Sequence, residues 1–287
     1  MKSLFRFLPL ASLASALFLS GMSAAQADLV DDQLAGMEAQ SPIDIRSDNT
    51  YFGNLAPLKF DLSSNTSLDV INNGSPGKES TIRANVAPGA GSLTLSGDKW
   101  NLAQFHWHTP SEHLENSKAT PLEMHLVFTD AAKNILVVGR WINYSSADNA
   151  ALAPIFSHLP QTTTDHLAVN SFNLNDLLPA SNMDSFRYTG SLTTPPFTEG
   201  VTWINLADPM YMSQSQVQAF QTLFPEGDAR PVQPLNGRII LTDVPGFVNV
   251  SPVPEPETYA MLLAGLFLIG FIARRRLANP DFMGSVA

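Results

Sequence analysis

Short segments of alternating or β-branched side chains recur along the chain, and they constrain its fold more than any other feature. Residues typical of turns (Gly, Pro, Asn and Asp) separate them. Alternation of apolar and polar side chains indicates a strand with one buried face. The spacing therefore predicts a mainly β (α+β) domain built on a largely antiparallel sheet. The segments are SLTLS (92–96), NLAQFHWH (101–108), LEMHLVF (122–128), NILVVGRW (134–141), GVTWINL (200–206) and RIILT (238–242).

Two short helices are predicted beside this sheet. Ser213 is suited to cap an amphipathic segment that runs to Leu223, and Pro225 follows just beyond its end. A second short helix is expected after Asp148. Residues 28–252 contain no internal repeat and no long Ser/Gly linker, so we interpret them as one continuous domain.

The first 27 residues have the composition of a secretory signal peptide. Lys2 and Arg6 precede an apolar stretch from Phe7 to Leu19, and the small-residue site Ala25-Gln26-Ala27 follows. Charge, apolar core and cleavage site occur in the order that export signals require. We therefore expect residues 1–27 to be removed and the domain to be exported.

The C-terminal segment 253–276, VPEPETYAMLLAGLFLIGFIARRR, places Pro-Glu-Pro before an apolar run and three arginines after it. It resembles a PEP-CTERM-type sorting signal, which implies processing by a membrane sortase of the exosortase kind. An uncleaved membrane anchor is the alternative, because such arginines favour the cytoplasmic side. Either interpretation predicts an exported domain, periplasmic, cell-surface or extracellular, that is anchored at least transiently. A short tail, 277–287, follows.

Charge and cysteine content narrow the classes of function. Residues 28–252 carry 11 basic and 23 acidic side chains, a formal charge of −12. Binding of nucleic acid needs a cationic surface, so this balance argues against it. The chain has no cysteine, which excludes disulfides and thiolate metal sites. A metal ion would have to be held by histidines and carboxylates.

Four of the six histidines fall within residues 104–126. In a strand over 101–108, Gln104, His106 and His108 share one face. In the strand 122–128, Glu123 and His125 share a face. If the strands pair with these faces aligned, the three histidines form a site with one open position, as in catalytic zinc sites.

Gln104 and Glu123 each precede a histidine by two residues on the same face. Both can therefore accept a hydrogen bond from the imidazole nitrogen that does not face the metal, which orients the ligand and makes it more basic. His113 follows a turn signal and is assigned a structural role. His158 and His166 are expected at the surface or in packing.

A second interpretation of these residues is a cupin metal site. His106, His108 and Glu112 fit the first half of the cupin motif, and His166 with Asn170 mimic part of the second. The Gly residues that both halves of that motif need are missing. Features elsewhere in the chain have to decide between the two.

Six collinear motifs decide between these two interpretations of the histidines. They are QSPIDI (40–45), NNG (72–74), QFHWHTPSEH (104–113), EMHLV (123–127), YTGSLTTPPFTEGVTW (188–203) and QPLNGR (233–238). This series resembles the α-class carbonic anhydrases of bacterial type, from about Gln40 to Thr242. The resemblance implies a central, twisted, mostly antiparallel sheet of about ten strands with short peripheral helices. It also implies cis peptide bonds at Ser41-Pro42 and Pro195-Pro196.

The resemblance further implies reversible hydration of carbon dioxide to bicarbonate and a proton by a zinc-bound hydroxide. Zn²⁺ would be bound by His106, His108 and His125. Thr193 would accept a hydrogen bond from the hydroxide, and Glu112 would orient the Thr193 hydroxyl. The residues implied around the substrate are Val127, Leu192, Thr194, Val201 and Trp203, with Val137 a less certain member.

The chain departs from the family pattern in two places. Ser75 follows Asn73-Gly74, where many members carry a histidine that passes the proton to buffer. The usual Trp- and Gly-Pro-rich segment before Gln40 is also missing. We therefore expect an enzyme slower than its relatives. The alternative is a carbonic-anhydrase-like surface or matrix binding module with little catalysis.

Overall fold

A computed structural model describes residues 38–74, 81–180 and 182–248, together with Leu266 and Ile269. They contain fourteen strands. The strands are β1 (Asp44–Ile45), β2 (Thr50–Phe52), β3 (Lys59–Leu62), β4 (Thr66–Asn72), β5 (Ile82–Val86), β6 (Gly91–Leu95), β7 (Asp98–His108), β8 (Leu114–Glu115), β9 (Leu122–Thr129), β10 (Ile135–Ser145), β11 (His166–Phe172), β12 (Ser185–Ser191), β13 (Glu199–Ser213) and β14 (Ile240–Thr242).

Twelve of the strands form one mixed sheet. Its main path runs β11-β4-β5-β7-β9-β10-β13-β12-β14-β2, and β6 joins β3 to β7. The β10–β13 and β14–β2 pairs are parallel and the other pairs of this sheet are antiparallel. The short strands β1 and β8 pair in parallel as a separate sheet. The prediction of a mostly antiparallel sheet is confirmed, and the main path has the expected ten strands.

All six predicted strands are present, and several extend beyond the predicted ends. The segment 200–206 lies within the longer β13, and 134–141 lies within β10 except for its first residue. Both long strands are central in the sheet, where neighbours on both sides continue the hydrogen bonding. A pattern of alternation ends where both faces become buried, so it underestimates the length of such strands.

The helices are short and lie beside the sheet, as predicted. They are α1 (Ala153–Phe156), a 3₁₀ helix (Leu174–Leu177) and α2 (Gln214–Leu223). Ser213 is the N-cap of α2, and its side chain accepts a hydrogen bond from the backbone N–H of Gln216. The helix buries Val217 and Phe220 against the larger of the two apolar clusters.

Alternation along β7 separates the core from the polar face. Phe105 and Trp107 are fully buried in the larger apolar cluster. Their neighbours Gln104, His106 and His108 point to the opposite face of the strand. The register between β7 and β9 shifts between Leu102 and Gln104, and this shift determines which β9 residues lie opposite the polar side chains of β7. The smaller apolar cluster, which includes Val137 and Trp203, lies beside the histidines.

Among the described residues, three peptide bonds are cis: Ser41-Pro42, Thr109-Pro110 and Pro195-Pro196. The first and third are the two that the resemblance implied. Three segments discussed above lie outside the described residues: the predicted signal peptide, residues 75–80 after Asn73-Gly74, and most of segment 253–276. Within the part of the chain that the structure describes, no helix is long and apolar enough to cross a membrane.

Candidate metal centre and active site

Strand pairing brings the three histidines together. His106 on β7 lies directly opposite His125 on β9, and His108 follows two residues along β7 on the same face. The ring centroids of the three imidazoles are 4.9 to 5.3 Å apart. One nitrogen from each ring lies within 4.8 Å of the other two. The predicted alignment of the two faces is therefore present in the fold.

Two of the histidines meet the acceptors expected for them. His106 Nδ1 hydrogen-bonds Gln104 Oε1 at 2.8 Å. His125 Nε2 lies 3.1 Å from Glu123 Oε1. The first contact is a hydrogen bond, whereas the second is a close approach outside hydrogen-bond geometry. Both leave the opposite nitrogen, Nε2 of His106 and Nδ1 of His125, for another partner. A ligand imidazole uses its two nitrogens in this way, one on the ion and one on an acceptor.

The environment favours neutral imidazoles. Burial lowers the pKa of His106 well below its ordinary value, and the nearby His108 and His125 lower it further. Burial also lowers the pKa of His125, although Glu123 acts in the opposite direction. Neutral imidazoles have a free lone pair for a metal, whereas protonated ones do not.

Glu123 connects the histidine site to a buried polar network. Its Oε2 accepts the backbone N–H of His113 at 2.7 Å, and its Oε1 lies 2.8 Å from His113 Nδ1. The side-chain amide of Asn205 donates to Oε1 at 3.1 Å. Burial raises the pKa of Glu123, but His113 and His125 outweigh it, and the net pKa lies well below the usual range. Glu123 is therefore an ionised acceptor that holds His125 in place.

His113 extends this network away from the histidine cluster. Its Nε2 lies 2.7 Å from the hydroxyl of Tyr188, which lies 2.8 Å from Ser41 Oγ. Its backbone carbonyl accepts the indole N–H of Trp141 at 3.1 Å. Because both ring nitrogens of His113 have hydrogen-bond partners in the interior, its contacts support the structural role assigned to it.

Glu112 approaches the histidines from the side opposite to Glu123. Its Oε2 lies 3.6 Å from His108 Nε2 and 3.8 Å from His125 Nδ1. Its Oε1 accepts the backbone N–H of Arg230 at 3.0 Å. Burial raises the pKa of Glu112, and hydrogen bonds from Thr193 and Arg230 partly offset the rise. Glu112 thus joins Thr193 to the cluster.

A small cavity of about 50 Å³ opens beside the histidines. A single buried water needs at least about 10–15 Å³ of such volume, so the cavity can admit a molecule of a few heavy atoms. Val201 is buried in the smaller apolar cluster and does not line this cavity. The lining residues are Gln104, His106, His125, Val127, Val137, Leu192, Thr193, Thr194 and Trp203.

The donor set fits a zinc ion. Three imidazole nitrogens converge, and both ring nitrogens of His108 and the Oε2 of Glu112 are buried without a hydrogen-bond partner in the described structure. Buried polar atoms without partners are costly, and a cation among them would satisfy one nitrogen of each ring. Three histidines with an open fourth position are typical of catalytic zinc.

The remaining histidines lie elsewhere. The side chain of His166 on β11 is 62% exposed and pairs with Asp69 at 2.9 Å, and β4 and β5 separate its strand from β7. His158 contacts Ser157 at the surface. The cupin interpretation needs His166 beside His106 and His108, so the fold is inconsistent with it.

Several residues that touch the site were not predicted from the sequence. Asn205 comes from β13, and Arg230 from the loop after α2. Asp228 Oδ2 lies 3.6 Å from His108 Nδ1, and burial raises the pKa of this carboxyl to about 6. These contacts join segments more than 80 residues apart. Contacts between such distant segments leave no local pattern in the sequence. The alternation in β13 could have indicated Asn205 only if the order of β9, β10 and β13 in the sheet were known.

Comparison with known proteins places these observations in a family. The model of the eukaryotic-type carbonic anhydrase family matches residues 29–244, and that of the PEP-CTERM protein-sorting motif matches 252–276. Carbonic anhydrases of Pectobacterium carotovorum and Neisseria gonorrhoeae are 36% and 35% identical to the chain over 203 residues. Each match covers 70% of the chain and 79% or 76% of the relative.

Solved structures show the same similarity. The Photobacterium profundum α-carbonic anhydrase matches with a TM-score of 0.64 and 36% identity, over 71% of this chain and 88% of that one. The Thermovibrio ammonificans α-carbonic anhydrase, solved with the inhibitor sulfanilamide, matches with a TM-score of 0.67 and 35% identity, over 75% and 93%.

Proposed function

The chain belongs to the eukaryotic-type (α) carbonic anhydrase family, and we propose that His106, His108 and His125 hold the zinc ion with which it hydrates carbon dioxide reversibly. The observation that carries this assignment is the convergence of three imidazoles beside a small, partly apolar cavity. Zinc bound by three histidines lowers the pKa of a coordinated water to about 7. The protein's own residues have to hold that ion, orient the nucleophilic oxygen and place the substrate.

Gln104 and Glu123 hold two of the ligands. Gln104 bonds the Nδ1 of His106, which directs the Nε2 of that ring inward. Glu123 faces the Nε2 of His125, which leaves the Nδ1 of that ring for the ion. The backbone N–H of His113 and the amide of Asn205 in turn hold Glu123. Such outer contacts hold the imidazole rings in the orientation that the ion requires.

Thr193 and Glu112 orient the nucleophile. Glu112 accepts a hydrogen bond from the Thr193 hydroxyl, so the lone pairs of the Thr193 oxygen are left to accept a hydrogen bond from the attacking oxygen. A lone pair of that attacking oxygen then points into the cavity. This is positioning rather than acid–base catalysis, since Thr193 neither gains nor loses a proton.

The lining of the cavity suits an uncharged substrate. Val127, Leu192 and Trp203 give it an apolar wall, and Thr194 lies at its polar side. Carbon dioxide has no net charge for a side chain to bind, so a small apolar recess next to the nucleophile is sufficient. Val201 supports this wall from within the apolar cluster rather than by contact with the cavity.

A binding module with little catalysis is the alternative, and no observation favours it. The three histidines, Thr193 and Glu112 are all present and adjacent, although a purely structural descendant would not need them. The sequence departures at Ser75 and before Gln40 concern the rate rather than the metal site.

The PEP-CTERM motif indicates export and surface sorting. We further propose that residues 1–27 are a signal peptide, that 28–252 form the enzyme domain and that an exosortase processes segment 253–276. Transient anchoring of the C-terminus in a membrane is part of this proposal. Mass spectrometry of the protein from its native envelope would find both termini removed, whereas intact ends would contradict it.

Stopped-flow hydration of carbon dioxide, with zinc measured on the same sample, tests the proposed site. The wild-type protein should hold one zinc ion per chain and exceed the buffer background. His108→Ala should lose both the metal and the rate, because it removes one of three donors. The exposed His166→Ala is the matched control and should retain both. Hydration that persists in a zinc-free His108→Ala protein would refute the assignment.

A further inference from the structure

A cationic side chain lies beside the histidine cluster. Arg83 on β5 is directly opposite His106 on β7, and Asn85 is opposite Gln104 in the same register. Side chains at directly opposed positions of a sheet project from the same face, with their Cβ atoms about 4.5–5.5 Å apart. The charge of Arg83 is close enough to contribute to the lowered pKa of His106. Arg83 therefore extends the face that carries the proposed ligands by one strand, to β5.

The guanidinium of Arg83 has no partner among the residues that the structure describes. Its Nε is buried and lacks a hydrogen-bond acceptor, and no described carboxylate forms an ion pair with it. The acidic side chain on the next strand is Asp69 on β4, which is opposite Asn85 rather than Arg83. The Asp69 carboxylate lies 2.9 Å from His166 Nδ1 instead. Arg83 is thus a partly buried cation whose donors are not used by the described fold.

Such a cation favours an anion as its ligand. A buried donor without an acceptor costs free energy, which a hydrogen bond to an anion would recover. The planar guanidinium presents its donors as a fork, and this fork matches two oxygens of a carboxylate or a similar oxyanion. The ligand class that Arg83 indicates is therefore a small oxyanion with two oxygens in one plane.

The proposed reaction produces such an anion in the adjacent cavity. Gln104 and His106 line that cavity, and β5 with Arg83 is the next strand beyond them. The apolar side chains of the cavity suit carbon dioxide, but they offer no hydrogen bond to a charged product. Bicarbonate is planar and spreads one negative charge over its oxygens. Because the chain carries a net negative charge, which repels anions, a local cation offsets that repulsion.

We propose that Arg83 binds bicarbonate at the β5 side of the cavity, with its guanidinium donors on two oxygens of the anion. Bicarbonate meets this site after it leaves the metal and, in the reverse reaction, before it reaches the metal. The inference rests on the proposed function, because it assigns the ligand of Arg83 from the product of that reaction. Arg83 is not among the residues that line the cavity, so it binds the anion without contacting carbon dioxide.

A charge that acts only at a distance is the alternative, because any cation near the cavity attracts an anion. Arg83→Lys separates the two roles. Lysine keeps the positive charge but lacks the planar fork that holds two oxygens. A two-oxygen contact predicts that the lysine variant binds bicarbonate more weakly than the wild type, whereas equal affinity would overturn that contact.

Titration of the zinc-loaded protein with bicarbonate, followed by nitrogen-15 NMR, measures the binding directly. The Nε–H signal of Arg83 should shift and saturate, and sodium chloride at equal ionic strength is the reference. The side-chain amide of Asn85, on the same face of β5, reports the dissociation constant in the variants. Arg83→Gln should raise this constant about 3- to 10-fold, the loss expected for one or two hydrogen bonds. Circular dichroism should be unchanged.

Arg46→Gln is the matched control. Arg46 pairs with the exposed Asp48 at 2.8 Å, and it follows β1, which belongs to the separate small sheet. The substitution removes the same charge at a site away from the histidines, so it accounts for the change in net charge. This variant should bind bicarbonate as the wild type does. A dissociation constant for Arg83→Gln equal to both would overturn the proposal.

The wild-type titration also separates this proposal from the proposed function, and it needs no variant that has to fold. If the protein binds zinc and hydrates carbon dioxide but the Arg83 Nε–H signal does not shift, the anion site is refuted and the function stands. If the protein binds no zinc, the proposed function fails. A saturable shift would then still establish that Arg83 binds bicarbonate, and its absence would refute both.

Discussion

At the scale of single residues, Tyr188 shows how burial stabilises the layer behind the histidines. Its hydroxyl lies between His113 Nε2 at 2.7 Å and Ser41 Oγ at 2.8 Å. Burial raises the pKa of Tyr188 well above its ordinary value of 10.0, because the phenolate would be charged in the interior. The folded protein therefore keeps the phenol neutral to a higher pH than the unfolded chain does.

This shift predicts a pH dependence of stability. Because the pKa of Tyr188 is higher in the folded state, its contribution to the free energy of unfolding is fully present below about pH 10, the pKa in the unfolded chain. The contribution is lost as the pH rises through the pKa of the folded state. Tyr188→Phe should lower the free energy of unfolding by about 1–3 kcal/mol at neutral pH. The difference from wild type should shrink above pH 10, as measured by urea denaturation. The exposed Tyr144→Phe serves as control, and a gap independent of pH would contradict the prediction.

Thr193 gives a second prediction at this scale. Thr193→Val preserves the volume of the side chain but removes the hydroxyl that connects Glu112 to the nucleophile. We expect kcat/KM for hydration to fall about 10²-fold, since misplaced reactants cost roughly that factor. Zinc content should not change, because Thr193 is not a ligand. Thr193→Ser retains the hydroxyl and should keep most of the rate; equal rates in the Val variant and the wild type would exclude the role.

At the scale of elements, close packing of three strands supports the proposed metal site. His125 on β9 lies opposite Gly139 on β10, and β10 pairs in parallel with β13, where Gly139 lies opposite Asn205. A Cβ on Gly139 would meet Asn205 Nδ2 at 2.6 Å and Glu123 Oε1 at 3.0 Å. The glycine therefore leaves the space in which the amide of Asn205 reaches Glu123.

Gly139→Ala should thus disturb the site without touching a ligand. Overpacking of this kind costs about 1–3 kcal/mol in unfolding free energy. The methyl group should also displace Asn205 or Glu123 and weaken zinc binding, measured by chelator competition. Gly53→Ala is the control, because the nearest atom to its Cβ would be 4.0 Å away. Unchanged stability and zinc affinity in Gly139→Ala would show that the sheet adapts to the methyl group.

At the scale of the whole molecule, the departures from the family pattern concern proton release. Each hydration event leaves a proton that must reach bulk buffer. Ser75, which lies outside the described residues, cannot accept and release a proton near neutral pH. The histidines at the surface, His158 and His166, are away from the cavity.

Turnover should therefore depend on buffer. At saturating carbon dioxide, kcat should rise with imidazole concentration, since a small base can replace a missing proton carrier. Stopped-flow hydration at constant pH and ionic strength, with a non-protonating salt as control, measures the effect. A kcat independent of buffer concentration would mean that the protein has its own route for the proton.

Much of the strand content and the histidine cluster could be predicted from the sequence, because both depend on local spacing. Period-two alternation determined which side chains of β7 and β9 face the polar side, and it located His106, His108 and His125 on those faces. The Ser213 cap determined the start of α2 in the same local way. Motifs in collinear order then indicated the family, and with it Thr193 and Glu112.

The tertiary structure alone decided which distant groups surround those histidines. Strand order brings Asn205 to Glu123, and the turn after α2 brings Asp228 to His108 and the Arg230 N–H to Glu112. These contacts depend on register and on how loops close, neither of which has a periodic signature in the chain. The sequence by itself thus determined the candidate ligands. The fold decided how each of their side chains is oriented, because orientation depends on neighbours that are close only after folding.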